Sequence, residues 1–380
     1  MRKTINIGDL GTIITGKTPP TTNKNYYGDY AVFIKPTDIS EQSKYTYETE
    51  EMYSKLAAEK YESSLIPKGA ICVPCIGTIG TKMTMTPCDC YTNQSINSII
   101  CNENYDNEYV YYLIKNFLPG LKAYNLGTAS GREYVSKSNF EKIELVAEQD
   151  KEIQKKIGVI LSRYDSLIEN YQKQIKLLEE AARRLYKEWF IDLRFPGHEN
   201  TKIVDGVPKG WERKKVGDIA PIITGKKDAN FGTPDGEYPF FTCSQEPIKA
   251  PSFSFDCAAV LLSGNGDFNV KLYRGKFEAY QRTYVLSPCC AQHLYLLYYT
   301  ISANMTKLAA GSSGSTIKFL TKGMIDGINL NVPNDEILET FNKKVEPIQS
   351  SRESLQSQIR LLTEARDRLL PKLMSGEITV

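Results

Sequence analysis

A mixed α+β chain, built from two copies of one α/β module each followed by a long amphipathic helix, is the architecture this 380-residue sequence predicts. Three observations predict it. Four segments recur in order along the chain, and two stretches carry an apolar stripe at steps of three and four. The remaining chain reads as short apolar strands broken by Gly, Asn and Pro. A chain of this length exceeds one typical core, so several domains are expected.

The repeat is clearest at its start. Gly8-Asp9-Leu10-Gly11-Thr12-Ile13-Ile14-Thr15-Gly16-Lys17 returns as Gly217-Asp218-Ile219-Ala220-Pro221-Ile222-Ile223-Thr224-Gly225-Lys226, with seven of ten positions identical. Ala70-Ile71-Cys72-Val73, Gly77-Thr78-Ile79-Gly80 and Asn93-Gln94-Ser95 align with Cys257-Ala258-Ala259-Val260, Gly264-Asn265-Gly266-Asp267 and Tyr280-Gln281-Arg282. Gly127-Thr128-Ala129-Ser130-Gly131 with Val135-Ser136-Lys137 parallels Gly311-Ser312-Ser313-Gly314-Ser315 with Leu320-Thr321-Lys322. Finally, Gln174 to Leu185 returns as Gln358 to Leu369. The offset falls from 209 to 187 and then 184, so the first copy carries about 22 extra residues between Lys17 and Ile71. The scaffold repeats while the insert differs, as expected of two equivalent modules that touch different things.

The boundaries read as modules over 1–147 and 196–332 with helical segments over 148–195 and 333–380. In the first helix the stripe runs through Ile153, Ile157, Ile160, Tyr164, Leu167, Tyr171, Ile175, Leu178, Ala182, Leu185 and Trp189. About forty residues of such a seam span roughly 60 Å at the helical rise. The second helix carries Ile337, Phe341, Val345, Ile348, Leu355, Ile359, Leu362, Leu369 and Leu373, with Arg352 and Arg366 as polar interruptions. Pro347 should kink it or mark its effective start. Pro333-Asn334-Asp335-Glu336 reads as a start signal; Pro196-Gly197 and Pro371 with Gly376 read as stops. An isolated stripe would be exposed, so each helix finds its simplest partner in the other copy.

Within the modules, Ala258 to Leu262 and Thr283 to Leu286 read as strands, and Tyr109 to Phe117 and Tyr295 to Ile301 as helices. Tyrosines three apart (Tyr109 and Tyr112, Tyr295 and Tyr298) read as core packing rather than base-stacking platforms.

Composition narrows the chemistry. No apolar run is long enough for a membrane span or a secretory signal core, and nine cysteines without such a signal suit free thiols in a reducing cytoplasm. Cys72-Val73-Pro74-Cys75 with Cys88-Asp89-Cys90 superficially suggests zinc or a redox pair, but it falls in an apolar stretch with an irregular second knuckle, so core packing is the better reading and no metal site is assigned. His198 and His293 are the only histidines. No phosphate loop, HExxH, GxSxG, dinucleotide fingerprint or Asn-Pro-Pro-Tyr/Phe tetrapeptide occurs, so no catalytic residue is assigned. Residues 1–145 hold 15 Lys and Arg against 16 Asp and Glu, and residues 196–332 hold 15 against 12. Any nucleic-acid face must therefore come from local asymmetry.

Three further segments carry a family likeness: Glu188-Trp189-Phe190-Ile191-Asp192-Leu193-Arg194-Phe195-Pro196-Gly197, Val207-Pro208-Lys209-Gly210-Trp211-Glu212, and Leu369-Leu370-Pro371-Lys372-Leu373-Met374-Ser375-Gly376-Glu377-Ile378. With the two-copy layout, they resemble the specificity subunits of type I restriction-modification systems. The resemblance implies two target-recognition domains, each reading half of a split double-stranded DNA site, related by a pseudo-twofold and separated by two helices paired as an antiparallel coiled coil. It implies two modification (methyltransferase) subunits and restriction/motor subunits as partners, with S-adenosylmethionine and ATP/Mg on those partners and no cofactor here.

Gly-rich turns with neighbouring Lys, Thr, Asn and Gln suit that task, since backbone N–H groups reach phosphates and amide side chains read adenine. The candidate DNA-binding residues are Thr15, Lys17, Thr78, Lys82, Gln94, Arg132 and Lys137 in the first copy, and Thr224, Lys226, Asn265, Gln281, Arg282, Lys318 and Lys322 in the second. Residues shared between copies cannot distinguish two half-sites and suit phosphate or fold roles; Arg282 and the 18–70 insert suit sequence choice. The candidate helix seam, which also sets partner assembly, comprises Ile157, Tyr164, Tyr171, Leu178, Leu185, Ile348, Leu355, Leu362 and Leu369. Two rival readings stay open on the residues alone: a coiled-coil adaptor with two protein-binding modules, and a thiol or zinc enzyme built on Cys72 and Cys75.

Overall fold

The computed structural model describes residues 2–127, 131–266, 268–312 and 318–380. The chain divides into two compact units, each discontinuous in sequence: residues 1–173 with 355–380, and residues 174–354. Each unit thus holds one copy of the module and a portion of both long helices. Among the described residues, no helix is long and apolar enough to cross a membrane.

The repeat is carried into the sheets. In the first unit a four-stranded antiparallel sheet has the spatial order Gly11–Thr15, Ile96–Cys101, Ile71–Pro74, Thr84–Met85. In the second the order is Ile222–Thr224, Thr283–Leu286, Phe255–Ser263, Val270–Ala279, extended by Tyr238–Phe241 and Ile248–Ala250. The continuous apolar run around Ala258 to Leu262 follows from burial on both faces. Val260, Leu262 and Leu286 pack against the helix Leu294–Gly311. Ala259, Leu261 and Val285 face Phe241 and Phe277.

The helices Asn107–Phe117 and Leu294–Gly311 fall where the sequence places them, and Tyr109, Tyr112, Tyr295 and Tyr298 are buried. A further strand in each copy, Arg2–Asn6 or Glu212–Lys215, pairs antiparallel with the strand entering the long helix, Glu144–Glu148 or Asn329–Val332. The repeated Gly-Asp dipeptide has a local cause. Asp9 accepts from the Asn6 N–H at 2.8 Å, and Asp218 from the Lys215 N–H at 2.7 Å, capping matching turns.

Two strands of the 18–70 insert, Met52–Tyr53 and Tyr27–Ile34, form a small sheet with Tyr91–Thr92 from beyond the insert, around stacked Tyr53 and Tyr91. Lys44 ties it down. Its ammonium pairs with Glu108 and lies 5.1 to 5.2 Å from the ring centres of Tyr45, Tyr111 and Tyr112.

The long helices run over Lys151–Tyr186 and Asp335–Ser375. The first begins where Asp150 accepts from the Glu152 and Ile153 N–H groups, the second where Asn334 accepts from Ile337. The second runs unbroken through Pro347, which neither starts it nor ends it, and through Pro371. Burial of Phe341 and Val345 ahead of Pro347, and of Leu370 and Leu373 around Pro371, outweighs the lost backbone bonds. Gly376, at φ +82°, supplies the actual stop.

The seam needs two corrections. Leu167 is 44% exposed, and its neighbour Ile168, 3% exposed, takes the inward position together with Leu161 and Asp165. A helix advancing by 3.6 residues per turn drifts off a strict 3.5-residue stripe, which moves the buried line by one position here. Of the other candidates, Ile157 is buried, while Tyr164, Tyr171, Leu178, Leu185, Ile348, Leu355, Leu362 and Leu369 are half-buried. The second correction concerns Arg352 and Arg366, which are buried rather than interrupting. In the first unit Arg366 pairs with buried Asp165, which also accepts from the Tyr112 hydroxyl at 2.5 Å. In the second unit Arg352 pairs with Glu179 at 3.6 Å and donates to the Tyr298 hydroxyl at 3.3 Å.

The family-like segments are packing segments. Trp189, Phe190, Phe195 and Trp211 form one aromatic cluster with Phe341 in the second unit. Leu370, Leu373 and Met374 belong to the core of the first. Arg366→Met should leave the Asp165 carboxylate buried without its cation and destabilise the first unit by about 3–5 kcal/mol in denaturant unfolding. The double replacement Asp165→Gln with Arg366→Ala, which copies Gln349 and Ala182 at the repeat-equivalent positions, should cost clearly less than the sum of its parts.

Candidate nucleic-acid interface

At one end of each four-stranded core the backbone ties four distant turns together. In the first copy the strand Gly11–Thr15 ends in Gly16-Lys17-Thr18. The Gly16 N–H donates to Ile96 O at 3.2 Å and the Lys17 N–H to Thr92 O at 2.9 Å, while the Thr18 hydroxyl bonds the Gln94 carboxamide. The Cys75 N–H donates to Ser95 O at 2.7 Å, which brings in the turn holding Thr78 and Lys82. Val135 to Cys75 at 2.8 Å and Gly77 to Glu133 at 3.0 Å add the segment holding Arg132.

The second copy repeats the arrangement. Gly225 donates to Thr283 O at 3.1 Å, Gln281 to Lys227 O at 2.9 Å, Gly264 to Arg282 O at 2.8 Å and Leu320 to Gly264 O at 2.8 Å. Twelve of the fourteen candidates therefore sit on two equivalent rings of turns, although their positions span more than a hundred residues in the first copy and ninety in the second.

Their surroundings differ. Lys17, Thr78, Gln94, Arg132, Thr224, Lys226, Gln281, Arg282 and Lys318 are exposed, whereas Thr15, Lys82 and Asn265 are half-buried. The Thr15 hydroxyl is occupied, donating to Asn97 Oδ1 at 2.7 Å. Tyr53 of the insert donates to Lys17 O at 2.6 Å, so the insert braces the first ring. The Gln281 amide donates to Asp228 at 3.3 Å, and the Lys227 ammonium lies 4.3 Å from the ring centre of Phe231.

Lys137 and Lys322 lie apart, each heading a short helix capped by Ser136 or Thr321. Lys137 pairs with Glu141 at 3.6 Å, so the agreement between copies there accompanies a shared cap. The candidate turn residues Thr128, Ala129 and Ser130, Asp267, and Ser313, Gly314 and Ser315 lie outside the described residues.

The second ring also gathers residues that the sequence pattern did not single out. Cys243 Sγ lies 3.7 Å from Arg282 O, and the Asn269 amide donates to Cys243 O at 3.0 Å. Lys271 bonds Asn269 and donates to Ser244 O at 2.7 Å. The loop they share is absent from the repeat, and Lys271 stands in an ordinary alternating strand, so no local signal marked it.

Three of the four cysteines of the Cys72–Cys90 pattern take the packing role expected of them, and Cys88, which is exposed, does not. Cys72, Cys75 and Cys90 are buried, and among the described residues no group of three or more His, Cys, Asp or Glu is placed to hold a metal ion. Burial pushes the Cys72 and Cys75 thiols up to about 12. The folded protein at pH 8 should thus leave Cys72, Cys75 and Cys90 unalkylated by iodoacetamide, while exposed Cys88, Cys289 and Cys290 react; peptide mass mapping reads the difference.

The shared glycine of the Thr-Gly-Lys turn is set by close approach. A Cβ on Gly16 would overlap the carbonyl oxygens of Thr92 and Asn93, and one on Gly225 those of Ala279 and Tyr280. Gly16→Ala or Gly225→Ala should lower stability by about 1–3 kcal/mol through forced backbone shifts, measurable as an earlier unfolding midpoint.

Comparison with known proteins agrees with this architecture. The profile of the type I restriction modification DNA specificity domain matches residues 2–180 and 208–358. The MjaIX specificity subunit of Methanocaldococcus jannaschii is 27% identical over 407 residues, covering 98% of this chain and 93% of that protein. The EcoDI specificity subunit of Escherichia coli is 37% identical over 177 residues, 46% of this chain and 40% of that protein. The crystal structure of a type I restriction-modification S subunit from M. genitalium shares the fold, with a TM-score of 0.62 at 15% identity over 98% of this chain and 96% of that one. These relatives are named as specificity subunits. A twofold-repeated sheet with matching rings of polar turns, joined to this profile over most of its length, places the chain in the type I restriction-modification DNA specificity subunit family.

Proposed function

We propose that this chain recognises a bipartite, gapped duplex sequence, one half per copy, and directs two methyltransferase subunits and the restriction/motor subunits to it. The observation that supports this reading is the pair of equivalent rings, each within a unit that also holds part of both long helices. Turns shared between the copies, such as Gly16-Lys17 and Gly225-Lys226, suit phosphates, which are alike in both half-sites. The unshared groups around them differ, as two different half-sites require. S-adenosylmethionine and ATP/Mg belong, in this reading, to the partner subunits, and this chain supplies the address. The family assignment displaces the adaptor reading.

Three outcomes test the proposal. Duplex binding by the assembled complex should weaken steeply with salt, and Lys226→Ala should weaken it across all sequences while reducing the log–log salt slope by about 1. Replacing residues 200–332 with another family member's module should change one half of the methylated motif and leave the other half and the gap unchanged. Adding four residues to each long helix, roughly 6 Å of rise, should change the gap by one to two base pairs and leave both halves alone. A module exchange that altered both halves would overturn the one-copy, one-half assignment.

A further inference from the structure

Lys271 is the second residue of the strand Val270–Ala279, just beyond the turn that carries Asn265. Its ammonium is half-buried and held by two neutral acceptors, Ser244 O at 2.7 Å and the Asn269 carboxamide oxygen. Among the described residues no carboxylate pairs with it. The holders are themselves held. Asn269 donates to Cys243 O at 3.0 Å and accepts at its own carbonyl from the Ser263 N–H at 3.0 Å, while Cys243 Sγ lies 3.7 Å from Arg282 O. Burial lowers the ammonium's affinity for its proton, opposed by Cys243 and Glu246. A partly desolvated cation whose close partners among the described residues are both neutral, with Glu246 acting only at longer range, is unfavourable, and something other than packing must account for it.

Comparison of the two copies shows that the fold itself has no need of it. Ile13 pairs with Ile99 and Ile71 with Ile99; Ile222 pairs with Leu286 and Val260 with Leu286. The sheet register thus sets Ile71 against Val260, two residues away from the alignment of Val73 with Val260 read from the sequence; Ile71 then pairs with Met85 and Val260 with Leu272, so Thr84 occupies the register position of Lys271. Thr84 is buried, its hydroxyl donating to Lys44 O at 3.1 Å under the insert. One copy seals this position with a small neutral residue. The other opens it beside the ring of polar turns and fills it with a cation.

We infer that Lys271, positioned by Asn269 and Ser244, is a specificity-determining residue of the second copy and contacts a guanine of its half-site. This rests on the DNA-reading function proposed above. An ammonium has three donors, and two are engaged. The third is left for a base-edge acceptor, and guanine favours a single ammonium donor most, because its adjacent O6 and N7 can share that one N–H and add their combined negative potential in the major groove. Fixing by two oxygens removes side-chain freedom before binding, so less is lost on contact. A backbone phosphate is the weaker assignment, because the exposed Lys226 and Lys318 around the same ring are better placed to meet phosphates than a half-buried ammonium held by two acceptors.

The test is methylome sequencing of a host carrying the complete complex with wild-type chain, Lys271→Met or Lys271→Arg. With Lys271→Met, one guanine in one half-site should become degenerate, its preference falling on the order of tenfold to a hundredfold, while the other half-site and the gap stay fixed. Lys271→Arg should keep guanine at that position. Uniformly weaker methylation of an unchanged motif would overturn the inference in favour of a phosphate contact, and unchanged methylation would overturn it outright. If Lys271→Met abolishes methylation, the unfolding midpoint of the assembled complex decides. A lowered midpoint that Lys271→Arg does not restore makes Lys271 a fold residue and overturns the inference; an unchanged midpoint with motif retained by Lys271→Arg supports it. A wild-type complex that marked no two-part motif would instead sink the underlying function.

Discussion

Asp165 and Arg366 meet in the interior of the first unit, beneath the Tyr112 hydroxyl, and the geometry of the helix pair depends on that meeting. A buried ion pair adds little net stability, since desolvation of both charges offsets their attraction, but it penalises any arrangement that separates them. The repeat shows what such an arrangement would do. Asp165 corresponds to Gln349 and Arg366 to Ala182; Glu179 corresponds to Thr363 and Arg352 to Ile168. Two first helices placed together would set Asp165 against alanine and Glu179 against isoleucine. Two second helices would bury both arginines without an acid. Only the mixed pair satisfies all four charges, so a nearly symmetric stripe acquires a definite partner and register.

That constraint explains how a repeat can hold two modules to one geometry while they diverge. The strand order, the Gly-Asp caps and the close-packed Gly16 and Gly225 recur because sheet pairing and turn geometry demand them. The insert, the Thr242–Ser244 loop and the register pair Thr84 and Lys271 differ, and with them what covers the sheet: the insert buries Thr84, whereas Lys271 is left half-buried. Variation is confined to places where backbone hydrogen bonding is already complete.

Much of this was legible in residue order. The repeat anticipated both sheets, tyrosines at helical spacing marked buried faces, and Asn334 with Asp335 marked a helix start. Other features were not. Leu167 and Ile168 are adjacent and both apolar, so only the accumulated turn of the helix selects the inward one. Arg366 reads as an interruption until Asp165, two hundred residues away, is placed beside it. Pro347 and Pro371 signal breaks locally, yet long-range burial overrides them. The candidate turns were identified one by one, but their assembly into rings depends on bonds such as Gly264 to Arg282 that no local pattern encodes, and the same long-range closure brought in Lys271.

The division of the chain also bears on its stability. Arg2 donates to Leu373 O at 2.9 Å and to Met374 O at 3.0 Å, and Leu370, Leu373 and Met374 complete the core that begins at Ile7. The module that opens with Arg2 is therefore closed by residues 371 and 372 positions further along the chain. Without them its core would lack Leu370, Leu373 and Met374, whereas all pieces of the second unit lie between residues 174 and 354. A chain interrupted ahead of Leu370 would lose these contacts and uncover apolar surface of the first unit, which ties the stability of one module to a segment that follows the other.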